Sequence, residues 1–104
     1  MLYCKLVRDK IPEIIKASGK DAVTCILPDK EYAIFLERKL DEEIREYHES
    51  KDVEELADIL EIIISLAEIK GYKFSDLYDI RTQKAKEKVV FSNKIFLISV
   101  SEDR

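Results

Sequence analysis

Apolar residues recur at helical intervals along the middle of the chain. One set follows steps of four, four and three, which places it on a single face of a helix predicted for residues 29–49. It consists of Leu36, Leu40, Ile44 and Tyr47. A second set predicts a helix over residues 52–70, which Gly71 ends, and it consists of Ile59, Ile62, Leu66 and Ile69. Because only residues 50–52 connect the two patterns, we expect the helices to lie antiparallel.

Two further helices are predicted on either side of this pair. Pro12 suits the first turn of a helix, so we expect a short helix that begins near residue 10 and ends at residues 18–20. Ser75 or Asp76 is expected to open a longer helix that extends to about residue 88.

The two ends of the chain differ from its helical middle. Residues 1–7 and 95–100 are short and rich in β-forming side chains, and they predict strands that pair with each other. Residues 22–27 are a weaker strand candidate. The predicted fold is therefore mainly α: an antiparallel helical bundle with short strands near both termini, in one domain over residues 1–104.

The second long helix is apolar on nearly its whole circumference. The residues concerned are Ile59, Leu60, Ile62, Ile63, Ile64, Leu66 and Ala67. A helix that is apolar all round must be buried all round, and one short chain has too few other helices to cover it. We therefore expect a homodimer, or a higher homo-oligomer, that places this helix in a shared four-helix core.

Composition narrows the classes of function. The 104 residues carry a net charge of −4, so we expect no nucleic-acid polymer as a partner. An anionic substrate would need a local basic cluster or a bridging cation. Cys4 and Cys25 are the only cysteines, which favours reduced thiols in a cytoplasmic protein over a disulfide between them. Charges from Lys5 onward argue against a signal peptide, and the longest uncharged apolar stretch, residues 62–67, is too short to cross a membrane.

Four acidic residues fall where the two long helices are expected to meet. Glu43 and Glu46 lie about 60° apart on the first helix. Glu55 falls near the middle of the apolar stripe of the second helix, and Asp58 lies beside it. Four carboxylates that converge between helices repel one another, and a divalent cation relieves that repulsion. Because Mg²⁺ prefers carboxylate oxygens, the spacing favours a Mg²⁺ site, with Mn²⁺ as an alternative.

Other interpretations of the acidic residues stay open at this point. Acid-rich helices are usually solvated on one face, and five further acids fit that description: Asp41, Glu42, Glu49, Glu54 and Glu61. Glu55 also has the spacing to complete a capping box with Asp52. A carboxylate di-iron bundle normally requires Glu-x-x-His on two helices. The single histidine, His48, instead follows Arg45 at that spacing, which weakens the di-iron alternative.

Three runs of sequence resemble a known family. KLDEEIRE at residues 39–46, followed by EELADILE at residues 54–61, is similar to the paired acidic motifs of the MazG-like superfamily of all-α nucleoside triphosphate pyrophosphatases. The opening KLVRDKIPEII at residues 5–15 is similar to its phosphoribosyl-ATP pyrophosphohydrolase-like branch. Together with the C-terminal pattern, these runs cover most of the chain.

The resemblance implies a chemistry for these residues. It assigns the metal ligands to Glu43, Glu46, Glu55 and Asp58. It implies Mg²⁺-dependent attack by water on a nucleoside triphosphate or a phosphoribosyl-ATP-like nucleotide, which releases the monophosphate and pyrophosphate, a reaction that suits house-cleaning of nucleotides. We expect Glu46 to orient or deprotonate the water, although any of the four carboxylates has the chemistry for this role.

Basic residues provide candidate contacts for the substrate phosphates. Arg81, Lys84 and Lys88 lie on one side of the third long helix, where they form either a phosphate-binding set or a solvated basic face. The family pattern places basic residues at positions matching Lys84 and Lys88. Arg8 and Lys10 in the N-terminal run are further candidates with the same two interpretations.

The chain departs from the family pattern in two places. The gap between Glu46 and Glu55 is short for the superfamily. The family branch also tends to have Gly-Gly-Phe after a basic residue at the end of the third helix, whereas this chain has Val89 and Val90 before Phe91. If those glycines allow the backbone to approach a phosphate, their replacement favours an alternative function: a catalytically silent dimeric helical module that binds a nucleotide or a protein.

Overall fold

Four helices account for the secondary structure of residues 4–102, the part of the chain that the computed structural model describes. They are α1 (Ile11–Ala17), α2 (Asp29–Ser50), α3 (Val53–Ile69) and α4 (Phe74–Lys88). The mainly helical fold that the apolar spacing predicts is confirmed, and each predicted helix is present with its ends shifted by only a few residues. No helix in this range is both long and apolar enough to cross a membrane.

The connection between α2 and α3 fixes the geometry of the hairpin that they form. Lys51 adopts a left-handed conformation with φ of 61°, and its backbone N–H donates to the Tyr47 carbonyl at 2.7 Å. Asp52 then returns to an extended conformation before α3 begins. Two non-helical residues therefore reverse the chain, and α2 and α3 lie antiparallel in contact with each other.

The helices α1 and α4 have fewer contacts with other helices than α2 and α3 have with each other. Pro12 lies in the first turn of α1, as expected, but α1 contacts no other helix of residues 4–102. Gly71, with φ of 88°, follows the end of α3 and starts the short connection to α4. At the start of α4 the Asp76 carboxylate accepts a hydrogen bond from the Lys73 backbone N–H at 2.8 Å. Of the other helices, α4 contacts only α3.

The single chain has a small core for its size. Among the described residues, the buried apolar side chains are Leu36, Ile62 and Ala67, all at the α2–α3 interface. The accessible surface is 9936 Å², whereas a compact monomer of 12.2 kDa exposes about 6,100 Å². The radius of gyration of 18.9 Å likewise exceeds the roughly 13 Å expected for a compact domain of this length.

The predicted strands are wrong for the described residues. No strand forms within residues 4–102, so neither the candidate at residues 95–100 nor the one at 22–27 is present, and of residues 1–7 the first three lie outside the described range. A strand requires a neighbouring strand to satisfy its backbone groups. Cys4, with φ of 50°, is not extended, and residues 4–7 form no strand that could pair with residues 95–100.

Candidate metal centre

The α2–α3 hairpin arranges the four predicted ligands in two groups that share Glu43. Glu43 on α2 meets Glu55 and Asp58 on α3, and each offers one carboxylate oxygen such that these atoms lie within 4.8 Å of one another. Glu43 belongs to a second group of the same dimensions, which contains Glu42 and Glu46. The buried Glu43 is therefore common to both groups and links the acids of the two helices.

The start of α3 explains why Glu55 faces this cluster. The predicted capping box between Asp52 and Glu55 does not form, because the Asp52 backbone N–H is bonded to the Ser50 hydroxyl oxygen at 3.1 Å. Glu55 therefore has no capping partner to reach back to. It stands on the same stripe of α3 as Ile59 and the buried Ile62, and its side chain is directed at α2.

Two carboxylate oxygens in the cluster are buried without a donor. Glu43 is only 6% exposed, and its Oε2 atom, like Oε2 of Glu55, has no hydrogen-bond partner. The Lys39 ammonium lies 3.4 Å from Oε1 of Glu43 and 3.5 Å from Oε2 of Glu42. A buried acceptor without a partner costs on the order of 1–3 kcal/mol, and more when it is charged.

The pKa values of the cluster reflect this crowding. Burial of the carboxyl, followed by a hydrogen bond with Glu43 and by the charges of Glu46, Glu43 and Asp58, raises the pKa of Glu55 to about 7. A hydrogen bond between two carboxyls exists only while one of them holds a proton, so it is absent when both are ionised. The pKa of Glu46 is also raised, mainly by a hydrogen bond with Glu43 and by the charge of that residue.

Divalent cations fit this arrangement of donors. The oxygens come from carboxylates, two of them lack any other partner, and they lie close enough together to share one ion. Hard cations such as Mg²⁺ and Mn²⁺ take such oxygen ligands. A bound cation would replace the proton that the raised pKa of Glu55 otherwise retains.

Arg8 connects the N-terminal segment to this centre. Its guanidinium nitrogen Nη2 donates to Oδ1 of Asp58 at 2.7 Å, across 50 positions of sequence. The sequence pattern predicts Arg8 as a phosphate contact, and the structure places it at the edge of the acidic cluster. Lys10, the other candidate from the same run, is exposed and forms no ion pair with any described residue.

Comparison with known proteins gives one informative match. Over 42 residues the chain is 55% identical to an uncharacterized protein of Mycolicibacterium smegmatis (strain ATCC 700084 / mc(2)155). The match covers 40% of this chain and 43% of that relative, so less than half of either protein is compared. No family model matches the chain, and no solved structure matches it. Membership of the MazG-like superfamily therefore stays a prediction.

The three predicted phosphate contacts on α4 make no ion pair with the acidic cluster. Arg81, Lys84 and Lys88 are exposed, and no ion pair joins them to an acidic side chain among residues 4–102. The Arg81 guanidinium instead lies over the Tyr78 ring, 5.7 Å from its centroid. Their role as phosphate contacts therefore stays a prediction.

One member of the cluster was not predicted from the sequence. The pattern assigns Glu42 to a solvated face, but the structure places it with Glu43 and Glu46. The available signal is its spacing, since Glu42 and Glu46 are four positions apart and share a helix face. That signal is hard to read because the three consecutive acids at residues 41–43 point in directions about 100° apart around the helix.

Proposed function

We propose that this protein is a divalent-metal-dependent nucleotide pyrophosphohydrolase of the MazG-like type, which converts a nucleotide polyphosphate to the monophosphate and pyrophosphate. The observation that carries the proposal is the pair of buried carboxylate oxygens, on Glu43 and Glu55, that have no donor. They lie in a cluster whose four principal acids match the family motif residue by residue.

Different residues of the proposed site have different roles in the reaction. Glu43, Glu46, Glu55 and Asp58 would hold Mg²⁺ or Mn²⁺, which neutralises phosphate charge and acidifies water when it is bound. Glu46 orients the attacking water and accepts its proton, a role that the raised pKa of this carboxyl suits. Arg8 meets a phosphate oxygen beside Asp58, since a guanidinium binds phosphate in the same geometry as carboxylate.

The decisive experiment is a screen for pyrophosphate release over nucleoside triphosphates and phosphoribosyl-ATP, with and without Mg²⁺. We expect metal-dependent release of monophosphate and pyrophosphate, rather than diphosphate and orthophosphate, as resolved by phosphorus NMR. Glu43→Gln should abolish turnover and also raise the metal-free melting temperature, because it removes a buried charge. Glu49→Gln, an exposed acid of the same helix outside the cluster, is the matched control and should leave turnover unchanged.

A second candidate function is favoured by the loop after α4. Val89 and Val90 stand where the family pattern has glycines, and the basic residues of α4 form no ion pair with an acid among residues 4–102. A catalytically silent module would bind metal and nucleotide without releasing pyrophosphate from any substrate in the screen. Isothermal titration with a non-hydrolysable triphosphate, run beside the screen, separates the two candidates.

We also propose that the functional unit is a homodimer. Each chain exposes roughly 3,800 Å² more than a compact monomer, which exceeds the roughly 1,000–2,500 Å² that each partner of a stable homodimer buries. Leu56, Leu60 and Ile63 follow one another along an exposed stripe of α3. Replacing Ile63 and Ile64 by Lys should give an unstable monomer in sedimentation equilibrium, whereas a stable monomer of the unmodified chain would refute the dimer.

A further inference from the structure

The segment after α4 presents an unusual apolar surface. We call residues 91–100 the C-terminal arm. Its large apolar side chains are 74–97% exposed, and they are Phe91, Ile95, Phe96, Leu97, Ile98 and Val100. Scattered single apolar residues are normal on a protein surface, but a continuous run of this length marks an interaction site.

The side-chain order of the arm suits an extended strand with one uniformly apolar face. Successive side chains of a strand point to opposite sides. Phe96, Ile98 and Val100 therefore share one face, whereas Ser99 interrupts the face that carries Ile95 and Leu97. The β-branched and aromatic composition favours this extended conformation over a helix.

The backbone of the arm requires a partner as well. No backbone hydrogen bond joins residues 95–100 to any other residue that the structure describes. Covering the apolar side chains would also remove these backbone groups from water, and unpaired buried N–H and C=O groups are costly. A flat helix surface cannot satisfy them, whereas a neighbouring extended segment can.

Within residues 4–102 no strand forms that could pair with the arm. The longest dimension of the molecule is 70 Å, about twice the roughly 33 Å of α2, its longest helix. The N-terminal segment, the predicted pairing partner, is not extended at Cys4. The excess surface of roughly 3,800 Å² per chain is more than the roughly 1,000–2,500 Å² that one partner of a stable homodimer buries, so the chain has enough uncovered surface for a second copy.

We propose that the C-terminal arm forms part of the homodimer interface, in which residues 95–100 of the two copies pair as antiparallel strands across the two-fold axis. A two-fold axis makes such a pair self-complementary, because each arm offers the other the same row of donors and acceptors. The face formed by Phe96, Ile98 and Val100 covers the exposed stripe of α3 that contains Leu60 and Ile63. This inference extends the proposed homodimer and is independent of the chemistry of the metal centre.

Sedimentation equilibrium tests whether the arm contributes to association. Phe96→Ser combined with Ile98→Ser should weaken dimerisation at least a hundredfold, although both side chains are exposed in the single chain. The matched control is Val23→Ser combined with Ile26→Ser, two similarly exposed apolar residues before α2, which should change the dissociation constant less than threefold. An unchanged dissociation constant in the arm variant, or an equal loss in the control, overturns the role of the arm.

Isotope-filtered NOE spectroscopy tests the pairing itself. A dimer reconstituted from one ¹³C-labelled and one unlabelled chain should show contacts between residues 95–100 of different chains, and these amides should exchange slowly with solvent. Contacts confined to one chain, or contacts of the arm with helices alone, overturn the proposal even if the dimer persists. If the unmodified chain is a monomer, both the homodimer and the pairing of the arms are refuted. The pyrophosphate screen tests the enzymatic proposal independently of this result.

Discussion

The α2–α3 hairpin and the C-terminal arm invert the usual placement of side chains in opposite ways. The hairpin buries a carboxylate, Glu43, with an oxygen that has no donor, whereas the arm exposes the large apolar side chains of residues 91–100. Each arrangement is unfavourable for an isolated chain in water. The comparison teaches that the two regions lack different things: the buried carboxylate oxygens of the hairpin lack a donor or a positive charge, and the arm lacks a covering surface.

The largest effect that we expect comes from replacing Glu46, the proposed general base. Glu46→Gln should lower turnover by about a hundredfold or more, because the amide cannot accept the proton of the attacking water. Nucleotide binding should largely survive, since the proposed contact of Arg8 is unaffected. Steady-state kinetics with direct binding measurements check this expectation. Glu42→Gln is the matched control: its carboxylate pairs with Lys39 and should cost less than tenfold, and equal losses would contradict the special role of Glu46.

Metal binding should stabilise the hairpin but not the arm. At a Mg²⁺ concentration a hundred times the dissociation constant, the free energy of unfolding should rise by about 2.7 kcal/mol, because the ion binds only the folded state. Glu55→Gln with Asp58→Asn should abolish this response while helical circular dichroism stays intact. If neither Mg²⁺ nor Mn²⁺ changes the melting temperature of the unmodified protein, the proposed metal centre is contradicted.

The hairpin could be predicted from the sequence because its determinants are local. The spacing of Leu36 and Leu40, the short connection, and the position of Glu55 on an apolar stripe are all contained within one helical period or one turn. The identity of the cluster followed from the same periodicity. Its one omission, Glu42, arose where adjacent acids made the direction of each ambiguous.

The strands could not be predicted correctly because their determinants are not local. Residues 95–100 have the composition of a strand, but a strand exists only where another segment pairs with it. Composition cannot say whether that segment belongs to the same chain. The capping box at Asp52 failed for a related reason, since the Ser50 hydroxyl competes for the same backbone N–H.

A smaller effect is expected where the chain leaves α4 for the C-terminal arm. Val89 has φ of 65° and ψ of −141°, a conformation that glycine adopts without strain and a β-branched residue does not. Val89→Gly should therefore stabilise the fold by about 1 kcal/mol, the relief of strain exceeding the entropy cost of glycine. Val90→Gly, the adjacent control without positive φ, should destabilise by about 0.5–1 kcal/mol. Chemical denaturation measures the change in the free energy of unfolding for each variant. Equal changes in the two variants would contradict backbone strain at Val89.

The smallest effect that we expect is a pH dependence of the metal-free protein. The pKa of Glu55 is raised from 4.5 to about 7 in the folded chain, so the folded state binds more protons than the unfolded state between these values. The contribution of Glu55 to the free energy of unfolding should be fully present below pH 4.5 and should be lost as the pH rises through 7. Because Glu55 is only partly buried, solvent screens much of this effect.

Two measurements isolate this titration. Thermal unfolding in the presence of a chelator should show the decline between pH 4.5 and 7, and Glu55→Gln should flatten it. Mg²⁺ affinity should change in the opposite direction and increase through pH 7, because the ion binds the deprotonated carboxylate. A metal affinity that does not vary between pH 6 and 8 would show that Glu55 titrates outside this range.

The tight link between α2 and α3 also has a kinetic consequence. Glu46 and Glu55 are nine positions apart, and Lys51 reverses the chain between them. Loops of about ten residues close in roughly 10–100 ns, and contacts between near neighbours in sequence favour fast folding. The acids therefore meet as soon as the hairpin forms, before any slower, concentration-dependent association of two chains. If the proposed metal centre and homodimer form, a cation present during synthesis would find its ligands assembled on the nascent hairpin, and metal capture would precede the association of the two chains.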